Sequence, residues 1–318
     1  MTDYFGDQTV LITGASGFIG SHLTKCLVQK GANVHILVQE NSDLWRLQEI
    51  PENILTVWRC DLRNSRFLGE CVRNINPQKV FHFGALVNAE RNPVLLKDMI
   101  DINVLGTVNL AVALMDSRCE CFINFGTCEE YGNSEAPFHE ENRESPVSPY
   151  SASKVAATHF CQMLYRMMGF PVITVRPFLT YGTHQLSQML IPDLIRRCLT
   201  GERQFALTTG IQTREFNYVQ DIVECVLQLS RCQELSGEVV NIGNGKEYTI
   251  LDVARTIVRL TGSSLELQPG KLPYRKGEVF HFYSATDKME KYIQVQDSVS
   301  LETGLELTIQ WFRSYLNH

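Results

Sequence analysis

Short, continuous apolar runs alternate along the chain with longer stretches in which apolar residues return every three or four positions. Thr9-Val10-Leu11-Ile12-Thr13 is apolar and rich in β-branched residues, the pattern of a strand covered on both faces. Further strands are predicted at 34–38, 55–59, 80–83, 121–125 and 172–175. Between them the spacing predicts helices over 21–29 (ended by Gly31), 65–74, 99–115 and 151–168. Strands alternating with helices predict an α/β fold, a doubly wound parallel sheet with helices on both faces.

After Arg176-Pro177 the rhythm changes. Helices are predicted over 186–200, 221–229 and 251–260, and strands over 204–209 and 239–242, while 263–283 reads as extended and rich in Pro, Gly and Lys. Residues 1–175 are therefore read as a doubly wound domain to which a segment near 211–245 returns. Residues 176–318 are read mainly as a smaller α/β lobe. The 318-residue length suits two lobes at about 150 residues each.

Composition narrows the partners. Hydrophobic residues make up 44% and charged residues 20% of the chain, the usage of a folded globular protein. The formal net charge of −6 argues against nucleic acid as a partner. No apolar run reaches the roughly 18 residues of a membrane span. Met1-Thr2-Asp3-Tyr4 lacks the basic and apolar regions of a signal peptide, so a cytoplasmic location without membrane contact is expected. The ten cysteines are scattered, with no Cys-x-x-Cys pair, and the eight histidines are scattered too. They read as reduced thiols and ordinary side chains, and no metal site is expected.

The first strand runs directly into Gly14-Ala15-Ser16-Gly17-Phe18-Ile19-Gly20 and then a helix. Gly14 permits a tight turn, Gly17 lets the backbone approach a pyrophosphate, and Gly20 allows close helix–strand packing. The free N–H groups and the helix dipole favour the anion. At the end of the second strand, Val38 stands where an acidic residue is usual, and neither Val38 nor Gln39 is an Arg that would take a 2′-phosphate. Glu40 can serve a ribose 2′-OH, so NAD is expected rather than NADP. Asp61 ends the third strand, where it can meet the adenine amine or cap the following helix.

Tyr150-Ser151-Ala152-Ser153-Lys154 places a Tyr and a Lys at i and i+4, on one helix face. The ammonium is expected to lower the tyrosine pKa from about 10. Such a tyrosine moves the proton of a sugar or alcohol hydroxyl while hydride passes to a nicotinamide.

With these motifs the chain resembles the extended short-chain dehydrogenase/reductases, within the NAD-dependent nucleotide-sugar epimerase/dehydratase family, and so implies a Rossmann-type sheet. The resemblance covers nearly the whole chain. It is carried by Thr13 to Gly20, Asp61-Leu62, Asn103 to Thr107, Thr127 with Tyr131-Gly132, Tyr150 with Lys154, and Arg176-Pro177 with Tyr181-Gly182. Arg214 to Val219 before Asp221 and Arg275-Lys276-Gly277-Glu278 complete it. It implies a cofactor held by Gly14, Ser16, Gly17, Phe18, Ile19 and Gly20. Gln39, Asp61, Leu62, Phe83, Gly84, Ala85, Asn103, Tyr150, Lys154 and Pro177 are further cofactor positions. It gives Thr127 to the reacting hydroxyl, Arg214 and Arg275 to the diphosphate of a nucleotide-sugar substrate, and Val87 and Leu179 to the substrate site. Leu179 stands where the family usually has Asn, and Phe83-Gly84-Ala85 where Leu-Ala-Ala is usual. A homodimer through helices near 99–115 and 150–168 is also implied. Leu110, Leu114, Phe160 and Leu164 give those helices apolar faces, which serve a dimer or the subunit's own core.

The segment Thr127-Cys128-Glu129-Glu130-Tyr131-Gly132 bears on the reaction. Family 4,6-dehydratases carry Thr-Asp-Glu or Thr-Ser-Glu here, decarboxylases a similar Ser/Thr-Ser-Glu, and a 5,6-dehydratase type Cys-Glu. Epimerases usually have small or uncharged residues. Oxidation at C4 of a hexose acidifies the C5 proton, and Glu129 is suited to remove it. Cys128, mostly protonated at a reference pKa of about 8.5, is suited to donate to a departing C6 hydroxyl. A solvated acidic loop, with Glu130 as its second member, is the competing account of Glu129. Burial of a small apolar side chain is the competing account of Cys128. The expected function is an NAD-dependent nucleotide-sugar dehydratase, 4,6 before 5,6. The alternatives are a 4-epimerase, a C4 reductase or dehydrogenase, or a non-catalytic dinucleotide sensor.

Overall fold

A computed structural model describes residues 4–88, 90–186, 189–275, 277–294 and 298–317. A seven-stranded sheet is formed by Thr9–Thr13 (β1), Asn33–Val38 (β2), Leu55–Arg59 (β3), Lys79–His82 (β4), Cys121–Phe125 (β5), Val172–Pro177 (β6) and Val239–Ile242 (β7). The spatial order is β7-β6-β5-β4-β1-β2-β3. β1 pairs in parallel with β2 on one side and β4 on the other. The strand order therefore reverses beside β1, the place where open α/β sheets bind ligands. β1 and β4 are buried along their whole length, which is why they read as unbroken apolar runs.

Phe18–Gln29 (α1), Ser65–Ile75 (α2), Gly106–Leu114 (α3) and Pro149–Met168 (α4) cover this sheet. α4 begins with a reciprocal cap between Ser148 and Ser151 and has Pro149 at its first position, where a missing N–H costs nothing. It ends at Gly169 with φ +69°, the left-handed stop of a helix. The helix predicted over 99–115 is built in three pieces. Leu96–Met99 is α-helical, Ile100–Leu105 is π-helical, and α3 follows.

The chain forms two compact units. The first comprises Met1–Gly132, Arg143–Pro177 and Val223–Val240; the second comprises Asn133–Asn142, Phe178–Ile222 and Asn241–His318. One core cluster of the first unit joins Leu11, Leu68, Val72, Leu110, Phe122 and Val172. Leu110, Leu114 and Leu164 are buried within this unit and give no surface face, while Phe160 is 42% exposed.

In the second unit, Leu190–Leu199 (α5), Ile250–Thr261 (α7) and Leu301–Leu316 (α8) pack around Tyr181, Leu194, Ile257, Leu305 and Phe312. Val219–Leu229 (α6) runs across the boundary between the units' segments. The strand predicted over 204–209 is Gln204–Ala206, paired in parallel with Glu266–Gln268 from the stretch expected to be merely extended. α5 starts at Leu190, later than the predicted 186, and residues 187 and 188 lie outside the described residues. Among the described residues no helix is long and apolar enough to cross a membrane, and no cluster of His, Cys, Asp or Glu could hold a metal. None of the ten cysteines is in a disulfide.

Candidate active site

Three strand ends of the first unit carry the candidate residues. After β1, Gly14 has φ +69°, and a Cβ there would lie 2.7 Å from the Phe83 carbonyl carbon. A Cβ at Gly20 would run into the Gly14 carbonyl oxygen, whereas one at Gly17 would meet only that oxygen, at 3.1 Å. Gly14 and Gly20 are thus closed by backbone packing, and the one near neighbour of Gly17 is the Gly14 carbonyl oxygen, which accepts from its N–H at 3.0 Å. α1 starts at Phe18 with no side-chain cap, so the N–H groups of its first turn take no bond from the cap residue's side chain. These features fit a pyrophosphate. Arg46 donates to the Ser16 carbonyl oxygen at 3.0 Å, and Arg59 to that of Gln39 at 3.3 Å.

Asp61 is not a helix cap; Asn64 caps α2, accepting from the Phe67 N–H. The Asp61 carboxylate takes the Arg63 guanidinium and N–H instead. Those hydrogen bonds hold its pKa below the ordinary carboxylate value.

At the end of β4 a chain of neutral hydrogen bonds ties the glycine turn to the helices. The Thr13 hydroxyl accepts from the Gly84 N–H at 3.0 Å and meets His82 Nδ1 at 2.7 Å. The Thr107 hydroxyl donates to the Asn103 carbonyl oxygen at 2.6 Å and meets His82 Nε2 at 2.8 Å. Thr107 must therefore accept from Nε2–H and Thr13 must donate to Nδ1, a neutral ring. Burial, with Lys154 nearby, pushes the His82 pKa down to about 3. Asn103 exchanges hydrogen bonds with both backbone groups of Leu86 and donates to Ser153, whose hydroxyl donates to the Tyr150 carbonyl oxygen. Phe83 lies 3.7 Å, centroid to centroid, from Phe125.

After β5 the chain makes a single helical turn, Cys128–Tyr131. The Thr127 hydroxyl accepts from the Glu129 N–H at 3.3 Å, and Glu130 Oε1 accepts from the Thr127 N–H at 2.8 Å, a reciprocal cap. The Tyr150 phenol adjoins the Thr127 side chain and lies within electrostatic reach of Glu129 and Cys128. The structure thus brings Thr127, Cys128, Glu129 and Tyr150 together, with Lys154 one turn further along α4. Cys128 is buried.

The ionisation differs from the expected one. Burial, then Glu129, Cys128 and Glu130, push the Tyr150 phenol above its ordinary value. Burial lowers Lys154 to about 8, against the opposing pull of Glu130. The ammonium does not offset the three acidic neighbours and the loss of water around the phenol.

Glu130 is not a solvated acid. It is fully buried, and its Oε2 accepts from Arg176 at 2.8 and 3.0 Å and from Thr158 at 3.1 Å. Arg176, also fully buried, donates to Glu144 at 2.7 Å and lies 4.6 Å from the centre of the Tyr131 ring. Burial opposes the Arg176 charge, but Glu130, Tyr131 and Glu144 more than restore it, and its pKa is raised. The sequence signal for Glu130 was its position three residues after Thr127, the spacing of a capping box.

In the second unit, Arg214 donates to Glu278 and to the Thr213 and Val279 carbonyl oxygens. Leu179 packs against the core of that unit. Arg275 is exposed, and its neighbour Lys276 lies outside the described residues. In the first unit Val87 is 64% exposed.

Residues 10–243 match the NAD dependent epimerase/dehydratase family. The chain belongs to that family. It is 30% identical to the dTDP-D-glucose 4,6-dehydratase of Bos taurus, over 96% of this chain and 89% of that protein. It is 31% identical to the UDP-N-acetyl-alpha-D-glucosaminuronate decarboxylase of Bacillus cytotoxicus, over 96% of this chain and 98% of that one. Among solved structures it resembles MoeE5 in complex with UDP-glucose and NAD. There the TM-score is 0.84 and the identity 29%, over 98% of this chain and 100% of the other. It is a nucleotide-sugar-modifying enzyme of this family with a Rossmann-like parallel sheet.

Proposed function

We propose that this family member is an NAD-dependent nucleotide-sugar dehydratase, removing water across C5 and C6 of a hexose after oxidation at C4. The observation that carries the reading is the Glu129 carboxylate beside the Thr127–Tyr150 pair, since only a reaction that breaks a bond at C5 needs a base there. The cofactor positions are Gly14, Ser16, Gly17, Phe18, Ile19, Gly20, Gln39, Asp61, Leu62, Phe83, Gly84, Ala85, Asn103, Tyr150, Lys154 and Pro177. When bound there, NAD supplies a hydride acceptor that later returns the hydride. Thr127 orients the C4 hydroxyl, and Tyr150 in its phenolate form receives the proton; burial and the acidic neighbours on their own disfavour that form, and the Lys154 ammonium is the cation assigned to favour it once substrate and NAD are bound. Glu129 removes the C5 proton. Cys128 gives a proton to the C6 hydroxyl, which leaves as water. Hydride returned to C6, with Glu129 giving its proton back to C5, would yield a 4-keto-6-deoxy sugar, the 4,6 outcome; hydride returned to C4, with Tyr150 giving its proton back to the C4 oxygen, would yield the 5,6-ene. Arg214 and Arg275 are assigned to the diphosphate, whose two anionic groups suit guanidinium forks, and Val87 and Leu179 to the substrate site.

We also infer a cytoplasmic homodimer. Ten cysteines without a disulfide among them suit a reducing compartment. Leu96, Ile100, Leu105, Phe160 and Met167 leave apolar surface on the helical segments at 96–114 and 149–168.

Mass spectrometry after incubation with NAD and UDP-, dTDP-, CDP- or GDP-hexoses tests the reaction. A product lighter by one water, lost in Glu129→Gln while NAD binding persists, is expected. A product of unchanged mass would replace the proposal by C4 epimerisation. Loss of carbon dioxide from a UDP-uronic acid would replace it by decarboxylation.

A further inference from the structure

The acid next to Glu129 is the other distinctive group at this turn, and its surroundings are those of a fixed part rather than a solvated one. Three donors converge on Glu130 with none of its carboxylate exposed: the Thr127 N–H on Oε1, and the Thr158 hydroxyl and Arg176 guanidinium on Oε2. Three elements meet there, namely the turn after β5, helix α4 and strand β6. The chain has shaped itself to that carboxylate. A Cβ at Gly126 would stand 2.5 Å from Oε1, with the Arg176 and Thr174 side chains 3.2 Å away on the other sides. Thr127 itself adjoins the Tyr150 phenol.

We propose that Glu130 is the positioning residue of this site: clamped by Arg176 and Thr158, its carboxylate holds the Thr127 backbone and so sets the Thr127 hydroxyl against Tyr150. It also sets the field at Lys154. That ammonium is buried, and the groups facing it are Glu130 from the turn, Cys161 from its own helix and His82 from β4. Glu130 is the one whose carboxylate supports the positive charge. Glu144 shares Arg176 but does not touch Thr127, and this separates positioning from mere stabilisation of the fold. The inference rests on the reading of Thr127, Tyr150 and Lys154 as the oxidising site, and extends it.

The test uses the full chain with Glu130→Gln, Glu130→Asp and Glu144→Gln. Turnover of whichever UDP-, dTDP-, CDP- or GDP-hexose wild type accepts is followed by mass spectrometry, and Lys154 ionisation by NMR of protein labelled with [ε-13C]lysine, assigned with Lys154→Arg. An amide cannot accept at both ends, so Glu130→Gln is expected to lower kcat at least about tenfold with KM within about twofold, and to move the Lys154 midpoint below its wild-type value near 8. Glu130→Asp keeps the charge but withdraws it from Thr127. It is expected to keep the Lys154 midpoint while losing kcat, and it decides the matter if the Gln variant does not fold. Glu144→Gln is expected to lower the melting temperature without moving either readout. Normal kcat in folded Glu130→Gln or Glu130→Asp, or an equal loss of kcat in Glu144→Gln, overturns the proposal. If wild type turns over none of the UDP-, dTDP-, CDP- or GDP-hexoses, that reaction reading fails by itself. The Lys154 midpoint then decides the inference, which is overturned if Glu130→Gln leaves it in place.

Discussion

The turn after β1 and the turn after β5 both leave the carboxyl end of a parallel strand, yet one is assembled from missing side chains and the other from charged ones. At Gly14 and Gly20 the backbone packs where no Cβ fits, and α1 starts uncapped. At Thr127 the helical turn is capped twice over, and its cap is buried against an arginine from another strand. The first turn takes no cap from a side chain, which suits an incoming anion. The second fills its own first N–H groups, so that a hydroxyl and a carboxylate stand still beside Tyr150. Binding a phosphate needs vacancy, whereas moving protons needs fixed geometry.

The comparison can be broken most forcefully at Arg176. Arg176→Met leaves Glu130 and Glu144 without their cation, and a loss of about 3–5 kcal/mol is expected in urea unfolding. The double variant Glu130→Gln/Arg176→Met should recover part of that loss; if it does not, the two residues are not coupled. On the glycine side, Gly20→Ala forces a methyl group into the Gly14 carbonyl oxygen. A stability loss of about 1–3 kcal/mol is expected, with NAD affinity in calorimetry falling at least about tenfold because the N–H groups are displaced.

The two ends should also respond differently to pH. His82, held neutral beside the glycine turn, has a folded pKa of about 3 against an ordinary value of about 6.5. The unfolded chain therefore binds the extra proton first as pH falls. This contribution is fully present above about pH 6.5 and is lost at about 1.4 kcal/mol per pH unit between there and about pH 3. His82→Gln should flatten that part of the stability profile. Lys154, on the charged side, has its pKa lowered to about 8, so its ammonium costs stability below that pH and the cost fades as pH rises through 8 towards 10.5. Lys154→Met should therefore stabilise the fold at pH 7 by about 1–2 kcal/mol while abolishing turnover. A destabilised Lys154→Met would show that packing around the charge outweighs its desolvation.

How much of this was legible follows the same division. β1 and β5 stand where the apolar runs placed them, because a strand buried on both faces has no choice of register with water; β3 also stands where it was predicted, although it is the half-exposed edge strand. The glycine trio was legible because local backbone geometry dictates it. Glu130 was misleading, since two adjacent glutamates before a Tyr-Gly pair look like surface. What makes Glu130 an interior residue is Arg176, 46 positions later in the chain, and no local pattern encodes that meeting. α8 lay beyond the predicted elements, although Leu301, Leu305, Ile309 and Phe312 carry helical spacing. Leu305, Ile309 and Phe312 are buried in the core of the second unit. The division of 99–115 into three pieces was not legible at all, because a widened turn leaves the apolar count unchanged.

That widened turn has a consequence for how this stretch tolerates change. Through Ile100–Leu105 the helix advances with more residues per turn than its flanks, and Asn103 within it binds Leu86 and Ser153. The segment behaves as a spliced-in extra residue. Removing one residue there would rotate everything on one side by about 100° relative to the other. Either Asn103 would leave its partners or Leu110 and Leu114 would swing out of the core. Substitutions along the helix test one contact each, but a change of length tests the phase of the whole. The segment from 96 to 114 is therefore frame-locked, open to drift in its letters and closed to drift in its count.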